Sequence, residues 1–216
     1  MIVAIAGATG LTGQIALDLL LADADVSQVV AIGRRPTGRS HPKLKELLLV
    51  EGCLVEPPRV DAFLCCLGTT IRQAGSQAAF EKVDLDLPLT LARQLHAQGC
   101  GTAAVVSAMG ADEKSAIFYN RTKGRMEAGL REIGFRSLTI LRPSLIDGKR
   151  AEARSGEVVG LAVMKLVSKF FVGSLRHYRA IRAETISWAL VEAAKAARVG
   201  TAVVRSGDIA KPESLT

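Results

Sequence analysis

The sequence predicts an α/β fold: a doubly wound, mostly parallel sheet with helices on both faces. Three observations carry that prediction. Short apolar runs alternate with segments of helical periodicity along the whole chain. The runs are near-continuous rather than alternately apolar and polar, as in strands buried on both faces. The first run, Ile2-Val3-Ala4-Ile5-Ala6, passes directly into a glycine turn and a helix opening at about Leu11.

The remaining elements follow in order. A second strand covers Val29-Val30-Ala31-Ile32 and ends at Gly33. Lys43 to Val50 reads as either a short helix or a strand. Asp61 to Leu67 is an apolar strand that runs into Gly68-Thr69-Thr70. Val83 to Gln98 has helical periodicity and stops at Gly99, and Thr102 to Val106 is the next strand. A helix over Ile117 to Ile133 is ended by Gly134. A strand over Ser137 to Leu141 is closed by Arg142-Pro143. A helix from about Ala183 to Ala197 precedes a last short strand, Ala202 to Arg205. No repeat or linker divides residues 1–216, so a single domain is expected, with 144–182 as its substrate or cap region.

Composition narrows the function. The chain has 216 residues, 49% of them hydrophobic, which suits one sizeable core and argues against disorder. Its net charge of +7 permits anionic ligands. The basic residues are scattered and aromatics make up 4%, so a nucleic-acid groove, which needs stacking faces in a basic channel, is not expected. Cys53, Cys65, Cys66 and Cys100 form no CxxC pair and read as reduced, buried thiols of a cytoplasmic protein. His41, His96 and His177 lack metal-ligand spacing, so no metal is expected. The first strand has no basic leader, so it does not read as a signal peptide. The longest apolar stretch, Val158 to Val172, is interrupted by Lys165 and Lys169 and is too short to span a bilayer. It reads as an amphipathic cap over a pocket or a homodimer face, with peripheral membrane contact a lesser alternative.

The glycine turn is the most informative local feature. Gly7-Ala8-Thr9-Gly10-Leu11-Thr12-Gly13 has GxxGxxG spacing at a strand–helix junction, where a dinucleotide's pyrophosphate binds. Gly7 permits the tight turn, Gly10 the approach of the phosphates, and Gly13 the close packing of helix on strand. An NAD-selective site would place an acidic residue at the end of the second strand, about 20 residues on, to hold the ribose 2′-hydroxyl. Here Arg34 and Arg35 stand instead. A guanidinium can grip a 2′-phosphate through paired hydrogen bonds, so NADP(H) is expected in preference to NAD(H).

A second constellation joins Ser107, Tyr119 and Lys123. Ser107 ends the strand Thr102–Val106, at the sheet edge where ligands of doubly wound folds bind. The Tyr119-x-x-x-Lys123 spacing puts both side chains on one helical face. A phenol with a pKa of about 10 is a poor acid–base at neutral pH, and a neighbouring ammonium lowers it. Tyr119 could then exchange a proton with a substrate oxygen, and Ser107 donate a hydrogen bond to the same oxygen.

These motifs together resemble the short-chain dehydrogenase/reductase superfamily. The likeness is closer to its atypical, compact branch, the HIV Tat-interacting oxidoreductase family. Cys66-Leu67-Gly68-Thr69-Thr70, Ala74-Gly75, Val83-Asp84, the run Val106 to Ala111, Phe118 to Gly124 and Leu141-Arg142-Pro143-Ser144 carry the same resemblance. It implies a Rossmann-type fold, Tyr119 as acid–base, Lys123 also on the nicotinamide ribose, and Ser107 orienting a substrate carbonyl. It further implies that Leu67, Gly68 and Thr69 line the adenosine side and that Pro143, Ser144 and Leu145 flank the nicotinamide. Two departures stand out: the Asn-Ala-Gly loop of the classical branch is replaced by Cys-Leu-Gly-Thr, and the classical catalytic Asn has no evident counterpart. The short region 144–182 suits a small carbonyl or alcohol substrate. Two functions remain open: an NADP-dependent oxidoreductase, or an NADP(H)-binding sensor or partner-binding protein with little turnover.

Overall fold

The computed structural model describes residues 1–147 and 180–209. The segment Val158–Val172 with Lys165 and Lys169, most of the region 144–182, and His177 lie outside the described residues.

Seven parallel strands form one sheet: β1 (Ile2–Ala6), β2 (Gln28–Gly33), β3 (Leu44–Leu48), β4 (Ala62–Cys65), β5 (Thr102–Val106), β6 (Ser137–Arg142) and β9 (Gly200–Arg205). Their order is β3-β2-β1-β4-β5-β6-β9. The chain therefore winds outward from β1 to β3, returns to lay β4 against β1, and winds outward the other way. The crevice outside the carboxyl ends of β1 and β4 is the topological switch point, where ligands of doubly wound sheets bind. A further pair of two-residue strands, β7 (Ile146–Asp147) and β8 (Ile181–Arg182), lies apart from the sheet.

The apolar runs are continuous because each strand packs on both sides. Ala4, Ala6, Val30, Ile32, Phe63 and Cys65 face one core, with Leu91 and Leu95 of α4 (Leu87–Ala97) and Met126 and Leu130 of α5 (Phe118–Ile133). Val3, Ile5, Val29, Ala31, Ala62 and Leu64 face the other, with Leu17 and Leu20 of α1 (Leu11–Ala22) and Ile186 and Leu190 of α6 (Ala183–Ala196). In-register parallel pairing, such as Val3 opposite Val29 and Ala62, keeps each set on its own face. The buried Ser187 hydroxyl of α6 reaches the Thr12 carbonyl oxygen of α1 at 2.8 Å and ties these two helices beneath the sheet.

Lys43–Val50 resolves as the strand β3, half-exposed at the sheet edge, which is why its pattern is mixed. The helix expected from Val83 begins earlier. A four-residue turn, α2 (Ile71–Ala74), is followed by α3 (Gln77–Glu81), which starts where the Ser76 hydroxyl accepts from the Ala79 N–H at 3.1 Å. The chain then passes through a π-helical turn, Lys82–Asp86, into α4. Pro88 accounts for the widening. It has no N–H to donate to the carbonyl four residues back, and its ring crowds that carbonyl.

The thiols are not uniformly buried as expected. Cys65 and Cys100 are buried and Cys66 is partly covered, but Cys53 is exposed. Burial pushes the Cys65 and Cys100 thiols up to about 11, and burial raises Cys66 as well. Since the thiolate is the reactive form, Ellman's reagent at pH 8 is expected to label one thiol rapidly. Cys53→Ser should remove that fast phase.

Candidate functional site

At the switch point the turn between β1 and α1 is fixed by backbone contact. Gly7 has φ +83°, and a Cβ there would sit 2.6 Å from the Cys66 carbonyl oxygen at the end of β4. A Cβ on Gly13 would lie 2.0 Å from the Gly7 carbonyl oxygen, so α1 seats on the turn only with glycine there. Gly10 differs. Its φ of −83° suits any residue, and a Cβ would meet no protein atom nearer than 3.4 Å. Gly10 caps α1 without a side-chain hydrogen bond, and the first turn, Leu11, Thr12 and Gly13, carries no acidic residue. A bare helix N-terminus beside a glycine with open space fits a phosphate group.

An open cleft extends from this turn. It is lined by Gly7 and Thr9 from the turn, Arg34 and Arg35 from the end of β2, Leu67 beyond β4, and Thr37 and Glu46 opposite. Both arginines are exposed. Thr37 and Glu46 belong to no motif in the sequence. The Glu46 carboxylate accepts from the Thr37 N–H at 2.6 Å and from its hydroxyl at 2.5 Å, which holds the loop carrying the arginines to β3. Those hydrogen bonds also keep the Glu46 carboxyl below its ordinary pKa. Five expected cofactor residues thus share one cleft, and a dinucleotide fits its donor set. Gly10, Leu11, Thr12, Gly13, Gly68, Thr69 and Lys123 are not among its lining residues, and neither are Pro143, Ser144 and Leu145. Beyond β6, the Pro143 carbonyl accepts from the Met109 N–H (2.9 Å), the Ser144 and Ser206 hydroxyls meet at 3.0 Å, and the Leu145 carbonyl accepts from Ile181 (2.9 Å).

Tyr119 and Lys123 lie on α5 as expected. The Tyr119 ring packs 5.6 Å from that of buried Phe80 on α3. Lys123 is buried, and its ammonium lies 2.7 Å from the Asp84 carboxylate, which is fully buried in the π-helical turn. The second Asp84 oxygen accepts from the Thr69 N–H at 2.9 Å. Gly68 lies beside the pair, a Cβ there falling 3.7 Å from Asp84 and 4.0 Å from Lys123. Burial, the largest influence on Lys123, disfavours the ammonium. Asp84, through its charge and its hydrogen bond to the ammonium, is the main influence that outweighs it, and the pKa lies above the ordinary lysine value.

Ser107 departs from expectation. It is buried, and its hydroxyl donates to Glu127 at 2.6 Å. Glu127 is fully buried and also accepts from Arg142 at 2.8 and 2.6 Å and from Arg131 at 3.1 Å. The hydroxyl has one proton, and a carboxylate inside the fold holds it. In this arrangement Ser107 has none to give a substrate oxygen. Glu127 went unnoticed in the sequence, although it stands four residues after Lys123 on the same helix.

Among the described residues no group of His, Cys, Asp and Glu is placed to hold a metal ion. No helix among them is long and apolar enough to cross a membrane.

No family model matches the chain. Mitochondrial protein fmp52 of Emericella nidulans is 35% identical over 185 residues, which cover 80% of this chain and 75% of that one. Protein HTATIP2 of Rattus norvegicus is 34% identical over 181 residues, covering 79% and 70%. Among solved structures, MoeE5 in complex with UDP-glucuronic acid and NAD superposes with a TM-score of 0.70 at 17% identity, covering 94% of this chain and 75% of that one. The human epimerase family protein SDR39U1 with NADPH gives 0.65 at 18%, covering 95% and 74%. The structural likenesses show the fold to be Rossmann-like. The cytoplasmic placement expected from the sequence is overturned, because the fmp52 relatives are mitochondrial proteins. Unpaired cysteines do not tell these compartments apart, since both keep thiols reduced. With relatives this similar over most of its length, the chain belongs to the atypical short-chain dehydrogenase/reductase family of fmp52 and HTATIP2.

Proposed function

We propose that this protein is an NADP(H)-dependent oxidoreductase that interconverts a small carbonyl compound and its alcohol, with Tyr119 carrying the proton. The observation that carries the reading is the cleft at the switch point, which Gly7, Ala8 and Thr9 of the glycine turn line together with the Arg34–Arg35 pair. The cofactor, when bound, supplies or takes the hydride. The turn holds the pyrophosphate through backbone N–H groups, and the arginines take the 2′-phosphate. Glu46 puts one negative charge in the same cleft, which two guanidinium groups outweigh. Tyr119 gives its phenolic proton to the carbonyl oxygen in reduction and takes it back in oxidation. Lys123, charged and buried, stabilises the phenolate between those events. Ser107 keeps α5 and β5 together through Glu127 rather than polarising the substrate. The single domain 1–216 and a substrate region within 144–182 belong to the same reading.

Arg34 and Arg35 give its sharpest test. Replacing both with alanine is expected to weaken NADPH at least tenfold, about 1.4 kcal/mol, and to leave NADH nearly unchanged. Equal losses for both cofactors would refute the 2′-phosphate role. A second reading, a cofactor-binding regulator with little turnover, draws on the Ser107–Glu127 bond, which removes one donor from the expected catalytic set. Cofactor binding without reduction of any carbonyl compound across a broad screen would favour it.

A further inference from the structure

Asp84 makes two contacts that join otherwise separate parts of the site. One oxygen lies 2.7 Å from the Lys123 ammonium on α5, and the other takes the Thr69 N–H of the loop that leaves β4 at the cofactor crevice. Neither partner is free to move into water, because the Asp84 side chain is 0% exposed and that of Lys123 4%. The backbone at this point is a π-helical turn rather than a regular helix, a geometry frequent where a side chain is placed for function. Among the described residues, the titratable groups bearing on Lys123 come from three elements: Asp84 from the π turn, Tyr119 from α5 and the Cys65 thiol from β4. Cys65 is neutral at physiological pH, so Asp84 is the fixed negative charge there.

An isolated ammonium in so dry a place would give up its proton. A neutral amine could not stabilise a phenolate at Tyr119, and it would offer one donor fewer to a ribose hydroxyl. We propose that Asp84 is a positioning residue of this site: its carboxylate keeps Lys123 charged and ties that charge to the Leu67–Thr70 loop beside the cofactor. The inference rests on the roles given to Tyr119 and Lys123 above. An uncharged amide at position 84 could keep the Thr69 bond, but it could not hold the ammonium.

The test is the titration of Lys123 itself. The protein is labelled with ¹³C-lysine, and the Lys123 ε-carbon signal is identified by its loss in Lys123→Arg. In the wild type this lysine is expected to hold its proton to higher pH than the surface lysines. In Asp84→Asn it should titrate lower by about one pH unit or more, a tenfold change in acid dissociation. NADPH affinity of the variant, followed by fluorescence, should then fall over the pH range where Lys123 loses its proton, while the wild type stays level. A purely structural Asp84 would alter stability and leave the lysine titration where it was. An unshifted titration in Asp84→Asn, or a wild-type Lys123 that titrates at or below ordinary lysine, overturns the proposal. If the variant does not fold, the wild-type titration decides alone. If the wild type binds no NADPH, the proposed function fails, and the lysine titration still decides the role of Asp84.

Discussion

Tyr119→Phe is expected to reduce turnover of a carbonyl substrate by roughly 10²–10⁴-fold, the range for losing a positioned acid–base group. The change removes one hydroxyl and keeps the ring, so the contact with Phe80 survives and the fold is unaltered. Lys123 and Asp84 also keep their ion pair, which does not involve the phenol oxygen. NADPH affinity should therefore stay within about twofold, and the whole loss should fall on the chemical step rather than on binding. Single-turnover oxidation of NADPH, measured beside the binding constant, separates the two. A variant with the wild-type rate would remove Tyr119 from the mechanism, and parallel losses in rate and cofactor binding would make its role structural.

Glu127→Ala is expected to be the most destabilising of the site substitutions, by about 3 kcal/mol or more, as when one partner of a buried ion pair is removed. Glu127 is fully buried and serves Ser107, Arg142 and Arg131 together, joining β5, β6 and α5. Without it the Arg142 guanidinium, about a quarter exposed, is left largely buried and uncompensated. Arg131 is more exposed and turns to water at little cost. Urea unfolding should show a lower midpoint with an unchanged slope. Ser107→Ala serves as the companion, because it takes one hydrogen bond from Glu127 and leaves both arginines. It should cost only about 1–3 kcal/mol and leave turnover within a fewfold. A collapse of turnover in Ser107→Ala would show that Ser107 leaves Glu127 when substrate arrives.

What was legible in the sequence was local. The β1–turn–α1 unit and the arginines after β2 depend on residues within about one βαβ unit, and spacing alone brings them together. Strands β5 and β6 and helix α5 were clear because long apolar or periodic segments end at unambiguous breakers such as Gly134 and Pro143. Edge strand β3 was ambiguous because half of it faces solvent. Spacing put Ser107 at the end of β5, but which way its hydroxyl turns depends on Glu127, twenty positions away. Asp84 and Lys123 meet only through the packing of the π turn on α5. The signals that could have found them were the Pro88 in mid-helix and the i, i+4 relation of Lys123 to Glu127.

The proposed function requires that the cleft at the switch point take a nicotinamide dinucleotide. Titrating the wild-type protein with NADPH and with NADH, each followed by nicotinamide fluorescence, tests that directly. The expected result is saturable binding of both, with NADPH tighter by tenfold or more. Binding of neither would contradict the dinucleotide assignment for the Gly7–Gly13 turn, and tighter binding of NADH would contradict the role given to Arg34 and Arg35.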